Sequence, residues 1–152
     1  MRLIIGNDHA AIELKNKIVK HCRELGHEII DFGVAENEAV DYPDKAEEVC
    51  TEYLKGGYDF GIICCGTGIG ISISANKIRG IRCALPQNIF ASKMAREHND
   101  CNFVAFGGRI DYPDKVEDML DAFLKAGFIG ERHALRVKKI NALDSKNISE
   151  AL

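Results

Sequence analysis

The sequence predicts an α/β fold built on a five-stranded parallel β-sheet, in one domain over residues 1–152. Short apolar runs alternate with amphipathic segments, and alternating strands and helices form right-handed βαβ units. Helices cover both faces of such a sheet, so its strands appear as apolar runs. A chain of 152 residues can bury a core of this kind. The expected strands are Leu3–Ile5, Glu28–Phe32, Asp59–Cys64, Arg82–Leu85 and Asn102–Phe106.

The segments between these runs carry apolar residues at the three- and four-residue steps of a helix. Three of the predicted helices end before Gly26, Gly56 and Gly127, because glycine is a common helix stop signal. A further helix, from Asn88 to about His98, leaves the fourth strand and returns to the fifth. The defining apolar positions are Ala11, Leu14, Ile18, Cys22 and Leu25, then Ala46, Val49, Cys50 and Tyr53, then Val116, Met119, Leu120, Phe123 and Leu124.

Composition excludes several classes of partner. Apolar residues make 46% of the chain, charged residues 28%, and the net charge is −3, so we expect no nucleic acid or membrane partner. The N-terminal residues lack the apolar region of a signal peptide. The six cysteines form no C-x-x-C pair and no zinc spacing. We therefore expect reduced thiols, a cytoplasmic protein and no metal.

One pentapeptide occurs twice, as Asp41-Tyr-Pro-Asp-Lys and as Asp111-Tyr-Pro-Asp-Lys. Each copy precedes a predicted helix. Aspartate, an early proline and an acid in the first turn are typical of a helix start. We expect both copies to begin helices; the repeat does not decide whether Tyr42 or Tyr112 lines a site.

Polar residues from three strands meet at the carboxyl edge of the predicted sheet. Asp8 and His9 follow the first strand, Cys65 begins a glycine-rich loop after the third, and Arg109 follows the fifth. Ligands of parallel sheets bind at this edge. Each residue alone has a structural explanation, such as a helix cap or a buried thiol, but their convergence favours a site. The loop, Cys65-Gly-Thr-Gly-Ile-Gly70, can surround an anion with backbone N–H groups.

Three familiar motifs are excluded. The loop glycines lack the spacing G-x-G-x-x-G of a dinucleotide site, because position 71 is Ile. No Gly-Lys-Ser/Thr follows, so the loop is not a P-loop. A phosphatase loop of the form Cys-x5-Arg would need arginine at the same position 71.

Two further features depend on helices. Arg132, Arg136 and Lys139 fall on one face of a predicted final helix, where they are either a solvated face or a phosphate site. His98 ends a helix of about eleven residues, roughly 16 Å long, and should lie near the amino edge of the sheet. Cys65 lies at the opposite edge. If both are catalytic, His98 must reach the site from a partner subunit; the alternative is a histidine that favours a helix C-terminus.

Seven ordered motifs resemble those of the ribose-5-phosphate isomerase B family, which also contains the subunits of galactose-6-phosphate isomerase. The resemblance covers essentially the whole chain. The motifs are Gly6-Asn-Asp-His9, Asp41-Tyr-Pro, Cys65-Gly-Thr-Gly-Ile-Gly70, Ala75-Asn-Lys, Arg96-Glu-His-Asn99, Phe106-Gly-Gly-Arg109 and Arg132-His-x-x-Arg136, the second being the repeated segment.

The resemblance implies a Rossmann-like three-layer sandwich whose C-terminal helix packs on a partner subunit, in a dimer or tetramer with shared sites. It also implies a cofactor-free and metal-free aldose–ketose isomerisation of a sugar phosphate. Cys65 would be the base, His98 the ring-opening acid/base, and Asp8 would move hydroxyl protons. Family members without the cysteine use a glutamate where this chain has Ile71. The implied substrate-binding residues are Asp8, His9, Tyr42, Gly66, Thr67, Gly68, Ile69, Gly70, Asn99, Arg109, Arg132 and Arg136, with Thr67 also holding the enediolate.

We expect ribose 5-phosphate and ribulose 5-phosphate to be the substrates. The alternatives are a hexose 6-phosphate, such as galactose or allose 6-phosphate, and a non-catalytic sugar-phosphate-binding module on the same fold. A pure binder needs neither a base nor a ring-opening acid, so Cys65, Asp8 and His98 together favour an enzyme.

Overall fold

The computed structural model describes residues 1–36 and 39–149, with side chains through residue 144. Its centre is a five-stranded sheet in the order β2-β1-β3-β5-β4, and every pair of neighbouring strands is parallel. The strands are β1 (Arg2–Asn7), β2 (Glu28–Asp31), β3 (Phe60–Cys65), β4 (Cys83–Ala84) and β5 (Phe103–Gly107). All five predicted strands are confirmed, with ends shifted by one or two residues.

Six α-helices and one 3-10 helix complete the described part of the chain. A 3-10 helix, His9–Ala11, leads directly into α1. The α-helices are α1 (Ile12–Glu24), α2 (Tyr42–Leu54), α3 (Ile69–Ala75), α4 (Ile89–Asn99), α5 (Val116–Lys125) and α6 (Glu131–Ser149). Among these helices, none is long and apolar enough to cross a membrane.

The helices pack in two layers against the two faces of the sheet. One buried cluster joins the sheet to α1, α4 and α5, and includes Ile18, Phe106 and Phe123. The other joins it to α2 and α3, and includes Val49 and Ile71. The predicted three-layer α/β architecture is therefore confirmed, because α1, α2 and α5 bury most of the apolar stripe that their periodicity indicated.

The structure differs from the sequence expectation at α3. The predicted loop ends at Ile69, where a short helix begins after Gly68 in the left-handed conformation (φ 75°). Periodicity did not indicate this helix, because a glycine and β-branched isoleucines have weak helix propensity.

The repeated pentapeptide adopts two different structures, so the expectation of two helix starts is wrong for the second copy. In the first copy, Asp41 precedes α2 and Pro43 lies in its first turn, although the Asp41 side chain makes no cap hydrogen bond. The second copy ends before α5, which begins at Val116. There Asp114 accepts a hydrogen bond from the Ile89 N–H at 2.8 Å, and so holds the start of α4 instead.

Candidate active site

Backbone hydrogen bonds hold the ends of β1, β3 and β5 together at the carboxyl edge. The Asp8 N–H donates to the second-last carbonyl of β3 at 3.1 Å, and the Gly108 N–H donates to the Cys65 carbonyl at 2.9 Å. The Arg109 N–H donates to the Gly66 carbonyl at 2.9 Å. The segment after β5 therefore runs alongside the glycine loop, and Asp8, Cys65 and Arg109 lie at one edge as predicted.

The Cys65 thiol faces the loop that follows it. Its Sγ accepts a hydrogen bond from the Gly68 N–H at 3.1 Å, and the residue is only 4% exposed. Cys65 therefore combines a buried sulfur atom with a backbone donor from its own loop.

The other five cysteines lie in the core. Burial raises the pKa of the Cys101 thiol to about 11 and the pKa of the Cys50 thiol to about 12. Burial, together with the neighbouring Asp121, raises the pKa of the Cys22 thiol to about 11. Burial likewise raises the pKa values of Cys64 and Cys83. None of the six is bonded in a disulfide. These five thiols stay protonated at neutral pH, which makes them packing residues.

Asp8 is buried and caps the 3-10 helix. Its Oδ1 accepts a hydrogen bond from the Ala10 N–H at 2.8 Å. Asn7 donates from Nδ2 to the Asp8 carbonyl at 2.7 Å, which fixes the peptide that follows. The interpretation of Asp8 as a helix cap is thus correct. The capping hydrogen bond holds the Asp8 side chain at the carboxyl edge of the sheet.

The glycine loop packs tightly against its neighbours. The Thr67 hydroxyl accepts a hydrogen bond from the Ile69 N–H at 3.3 Å. A Cβ on Gly70 would lie 2.6 Å from the Tyr42 ring, so Tyr42 rests on the loop from α2. The first N–H groups of a helix have no carbonyl partner within it. The loop and the first turn of α3 therefore present backbone donors next to Cys65.

His9 and Arg109 line one cleft of about 330 Å³, which Glu13 and Glu36 also line. Both residues are exposed, and Gly108 lies between their segments. An imidazole and a guanidinium on the same cleft suit a phosphate group. Among the described residues, no group of His, Cys, Asp and Glu side chains is arranged to hold a metal ion.

The remaining predicted site residues form a second group, on α4 and α6. His98 and Asn99 are the last residues of α4, while Arg132 and Arg136 are exposed on the first turns of α6. The two helices meet through His133, whose ring stacks on that of His98 with centroids 4.1 Å apart and planes 6° apart. Lys139 is also exposed on α6.

One chain does not bring the two groups together. α4 begins near the carboxyl edge and returns to β5, so its last residues lie near the amino edge. Phe103, at the start of β5, pairs with Gly61, whereas Cys65 pairs with Gly107 at the far end of the same ladder. The helix is eleven residues long, or roughly 16 Å. His98 and Asn99 therefore lie toward the opposite edge of the sheet from Cys65.

A large groove runs beside the second group. It has a volume of about 1090 Å³ and is lined by His98 and Asn99 together with apolar side chains of α4 and α6. Phe90 is 70% exposed on it, and Leu143 is 54% exposed. Such contiguous apolar exposure typically marks an interaction surface.

His133 is a residue to which the sequence analysis gave no role. It is buried, and its pKa lies below the usual histidine range because of desolvation and the neighbouring His98, Arg132 and Arg136. Its position between the two arginines of Arg132-His-x-x-Arg136 was visible in the sequence. The contact of His133 with α4 was not visible there, because nothing in the sequence shows that α6 packs on α4.

Residues 3–140 match the family described as Ribose/Galactose Isomerase. The chain belongs to the ribose/galactose isomerase family. Ribose-5-phosphate isomerase B of Escherichia coli (strain K12) is 40% identical over 145 residues, which are 95% of this chain and 97% of that protein. The galactose-6-phosphate isomerase subunit LacB of Clostridium acetobutylicum is 38% identical over 128 residues, which are 84% of this chain and 74% of that one.

The fold agrees with a solved structure of this family. Ribose-5-phosphate isomerase B of Clostridium thermocellum matches with a TM-score of 0.92 and 46% identity, covering 97% of this chain and 99% of that one. Membership of the ribose/galactose isomerase family makes the protein an aldose–ketose isomerase. The resemblance inferred from the motifs is therefore confirmed. The alternative of a non-catalytic binding module is not supported.

Proposed function

We propose that the protein interconverts ribose 5-phosphate and ribulose 5-phosphate, with Cys65 as the base. The observation that carries the proposal is the hydrogen bond from Gly68 N–H to Cys65 Sγ, at the same edge of the sheet as His9 and Arg109. In this arrangement the Cys65 sulfur lies next to backbone donors, at the same edge of the sheet as the imidazole and guanidinium that we propose bind the phosphate. The names of the Escherichia coli and Clostridium thermocellum relatives support the pentose substrate.

The chemistry requires one proton to move between two adjacent carbons. The Cys65 thiolate takes the proton from C2 of the open-chain aldose, and the electron pair of that bond forms the C1–C2 double bond. The negative charge then resides on O1, next to the backbone N–H groups of residues 66–70. Cys65 returns the proton to C1, and Asp8 assists transfer of the O2 hydroxyl proton to O1. One well-placed oxyanion donor is worth roughly 3–4 kcal/mol.

The substrate must also be bound and its ring opened. His9 and Arg109 hold the phosphate, with Tyr42 and Thr67 lining the sugar. We propose that His98, Asn99, Arg132 and Arg136 come from a second copy of the chain, whose groove along α4 and α6 covers the first copy. The separation of the two groups within one chain supports this arrangement, which gives a dimer with two shared sites, or a tetramer of such dimers.

Replacing the proposed base tests the proposal directly. We expect Cys65→Ala to lower kcat for ribose 5-phosphate by roughly 10²-fold or more, because general-base catalysis typically contributes that much. Cys22→Ala is the matched control, since it removes a core thiol from α1 and should keep full activity. Activity of Cys65→Ala within a few-fold of the parent would assign the base to another residue.

Mixing two variants, each of which lacks one of the proposed catalytic groups, tests the shared site. Cys65→Ala and His98→Ala chains are mixed, and their exchange is verified by native mass spectrometry. Half of the random dimers are mixed, and one of their two sites keeps both groups, so about one quarter of the parent activity should return. Exchange without any return of activity would mean that both residues serve the same chain's site.

The hexose 6-phosphate alternative rests on the LacB relative. Comparison of kcat/KM for ribose 5-phosphate, allose 6-phosphate and galactose 6-phosphate separates the two substrate classes. A higher kcat/KM for either hexose phosphate would identify that sugar, rather than ribose 5-phosphate, as the substrate. The proposed isomerase chemistry would be unchanged.

A further inference from the structure

We infer that Arg82 and Arg96, acting on Asp100, are positioning residues for His98. This inference rests on the proposed ring-opening role of His98. Asp100 follows α4 directly, and its backbone is left-handed (φ 46°), which is uncommon for a residue other than glycine. Arg82, directly before β4, and Arg96, within α4, converge on this residue, and together they fix the last turn of α4.

Arg82 binds the end of α4 through most of its donors. Its Nε donates to the carbonyls of Asn99 at 3.2 Å and Asp100 at 3.0 Å. Its Nη2 donates to the Asp100 carbonyl at 2.6 Å and to the Asp100 carboxylate at 3.0 Å. The Arg82 side chain is only 17% exposed. A guanidinium thus satisfies carbonyls that a helix end otherwise leaves without partners.

Arg96 approaches the same carboxylate from within α4. Its Nη1 donates to Asp100 Oδ1 at 2.8 Å and to the Cys101 carbonyl at 2.7 Å. Its guanidinium lies over the ring of Phe60 at 4.6 Å and over that of Phe123 at 5.9 Å. The side chain is therefore fixed against β3 and α5. The Asp100 carboxylate is bridged between two arginines that the core holds in place.

The same network reaches α6. Arg82 Nη1 donates to Asn141 Oδ1 at 3.3 Å, and the Ile129 N–H donates to the Glu97 carbonyl at 3.1 Å. His98 is stacked on His133 of α6. The His98 ring therefore lies where α4 meets α6, and both helices are held by the network. The backbone that follows His98, at Asn99 and Asp100, is hydrogen-bonded to Arg82.

This degree of anchoring exceeds what a helix end requires. The C-terminal end of α1 is capped by backbone hydrogen bonds, from the N–H groups of Leu25, Gly26 and His27. A catalytic group that is displaced by about 1 Å loses up to about 10²-fold in rate. A histidine that must reach into another subunit gains most from a rigid support, because its site is built by two separate chains.

The test uses Arg82→Met, which keeps most of the side-chain volume and removes its hydrogen bonds, and Asp100→Asn, which tolerates the left-handed backbone. We expect kcat for ribose 5-phosphate to fall roughly 10- to 100-fold in Arg82→Met. We expect a fall of roughly 3- to 10-fold in Asp100→Asn, with KM within about 3-fold in both. Arg23→Met, at the end of α1, is the control and should keep parent activity. Thermal unfolding of each variant reports whether the fold is retained; Asp100→Asn carries the test if Arg82→Met does not fold.

A double variant separates positioning from general damage. Ribose 5-phosphate that is already open-chain in solution can react at Cys65 without ring opening by His98. The variant His98→Ala therefore keeps a residual rate. Adding Arg82→Met to His98→Ala should change that residual rate by less than about 2-fold, because the residue being positioned is gone. Losses that multiply, or an Arg82→Met enzyme with parent kcat, would overturn the inference. Full activity of His98→Ala would instead overturn the proposed role of His98.

Discussion

Six cysteines occupy this chain, and their surroundings divide them into five packing residues and one reactive candidate. Burial raises the pKa values of the five packing thiols. The Cys65 sulfur accepts a hydrogen bond from the Gly68 N–H of the glycine loop. Cys64 and Cys65 are neighbours in sequence, but successive side chains of a strand point to opposite faces. One residue along the chain therefore separates a core thiol from the candidate base.

At the same scale, Gly68 should be far less replaceable than a glycine with the same backbone elsewhere. Gly68 (φ +75) and Gly26 (φ +77) are both left-handed, and alanine in that conformation costs about 1–2 kcal/mol. A Cβ on Gly68 would also lie 2.6 Å from Leu85 Cδ1 and 3.0 Å from a backbone carbon of Phe106, whereas one on Gly26 meets nothing within 4 Å.

We therefore expect Gly68→Ala to lower the free energy of unfolding by more than Gly26→Ala and to lower kcat as well. Gly26→Ala should cost only the backbone penalty and leave kcat unchanged. Urea unfolding and steady-state kinetics on the two variants check this. Equal losses of stability in the two variants would show that the loop yields to a Cβ.

Among the elements, α4 connects the two edges of the sheet. Its N-terminus is capped by Asn88, whose Oδ1 accepts the Ala91 N–H at 2.8 Å, and is also held by Asp114 from the β5–α5 connection. Its C-terminus carries His98 and Asn99 against α6. The helix therefore fixes where the second group of site residues lies relative to the first.

The contact between α4 and α6 should make stability depend on pH. The pKa of His133 is lowered by desolvation and by His98, Arg132 and Arg136, and Glu131 opposes this only in part. The unfolded chain, with a histidine pKa near 6.5, then binds a proton before the folded one does. The stability that neutral His133 contributes at higher pH is lost as the pH falls from about 6.5 to the pKa of His133 in the folded protein. Below that pH, this contribution no longer changes.

We expect His133→Phe, which keeps an aromatic ring against His98, to reduce that loss. Free energies of unfolding measured from pH 8 to pH 5 should decline less steeply in the variant than in the parent. Parallel declines over this range would mean that His133 does not carry the effect.

For the whole molecule, the distance between the two groups of site residues makes assembly part of the proposed function. The groove along α4 and α6 exposes Phe90 and Leu143 next to His98 and Asn99. A second copy packed there would bury apolar surface and deliver the second group in a single step. Activity and association should therefore be lost together.

Phe90→Glu tests this link, because a charge in the buried centre of an interface is costly. We expect weaker association in sedimentation experiments and a specific activity that falls on dilution and recovers at high protein concentration. Leu25→Glu, which also replaces an exposed apolar residue (47%) but lies outside the groove, should associate normally. Parent-like activity of Phe90→Glu at every dilution would contradict the shared site.

The sequence by itself determined the strands, most of the helices and the composition of the carboxyl edge. Apolar periodicity is a local property, and the ends of parallel strands necessarily meet at one edge, so Asp8, Cys65 and Arg109 could be grouped without coordinates. The helix length was enough to separate His98 from Cys65. Only the tertiary structure decided that α3 begins inside the glycine loop and that Asp114 holds α4. It also decided that His133 stacks on His98 and that Arg82 and Arg96 meet at Asp100. These contacts join residues far apart in sequence, and packing between elements leaves no periodic signal within either of them.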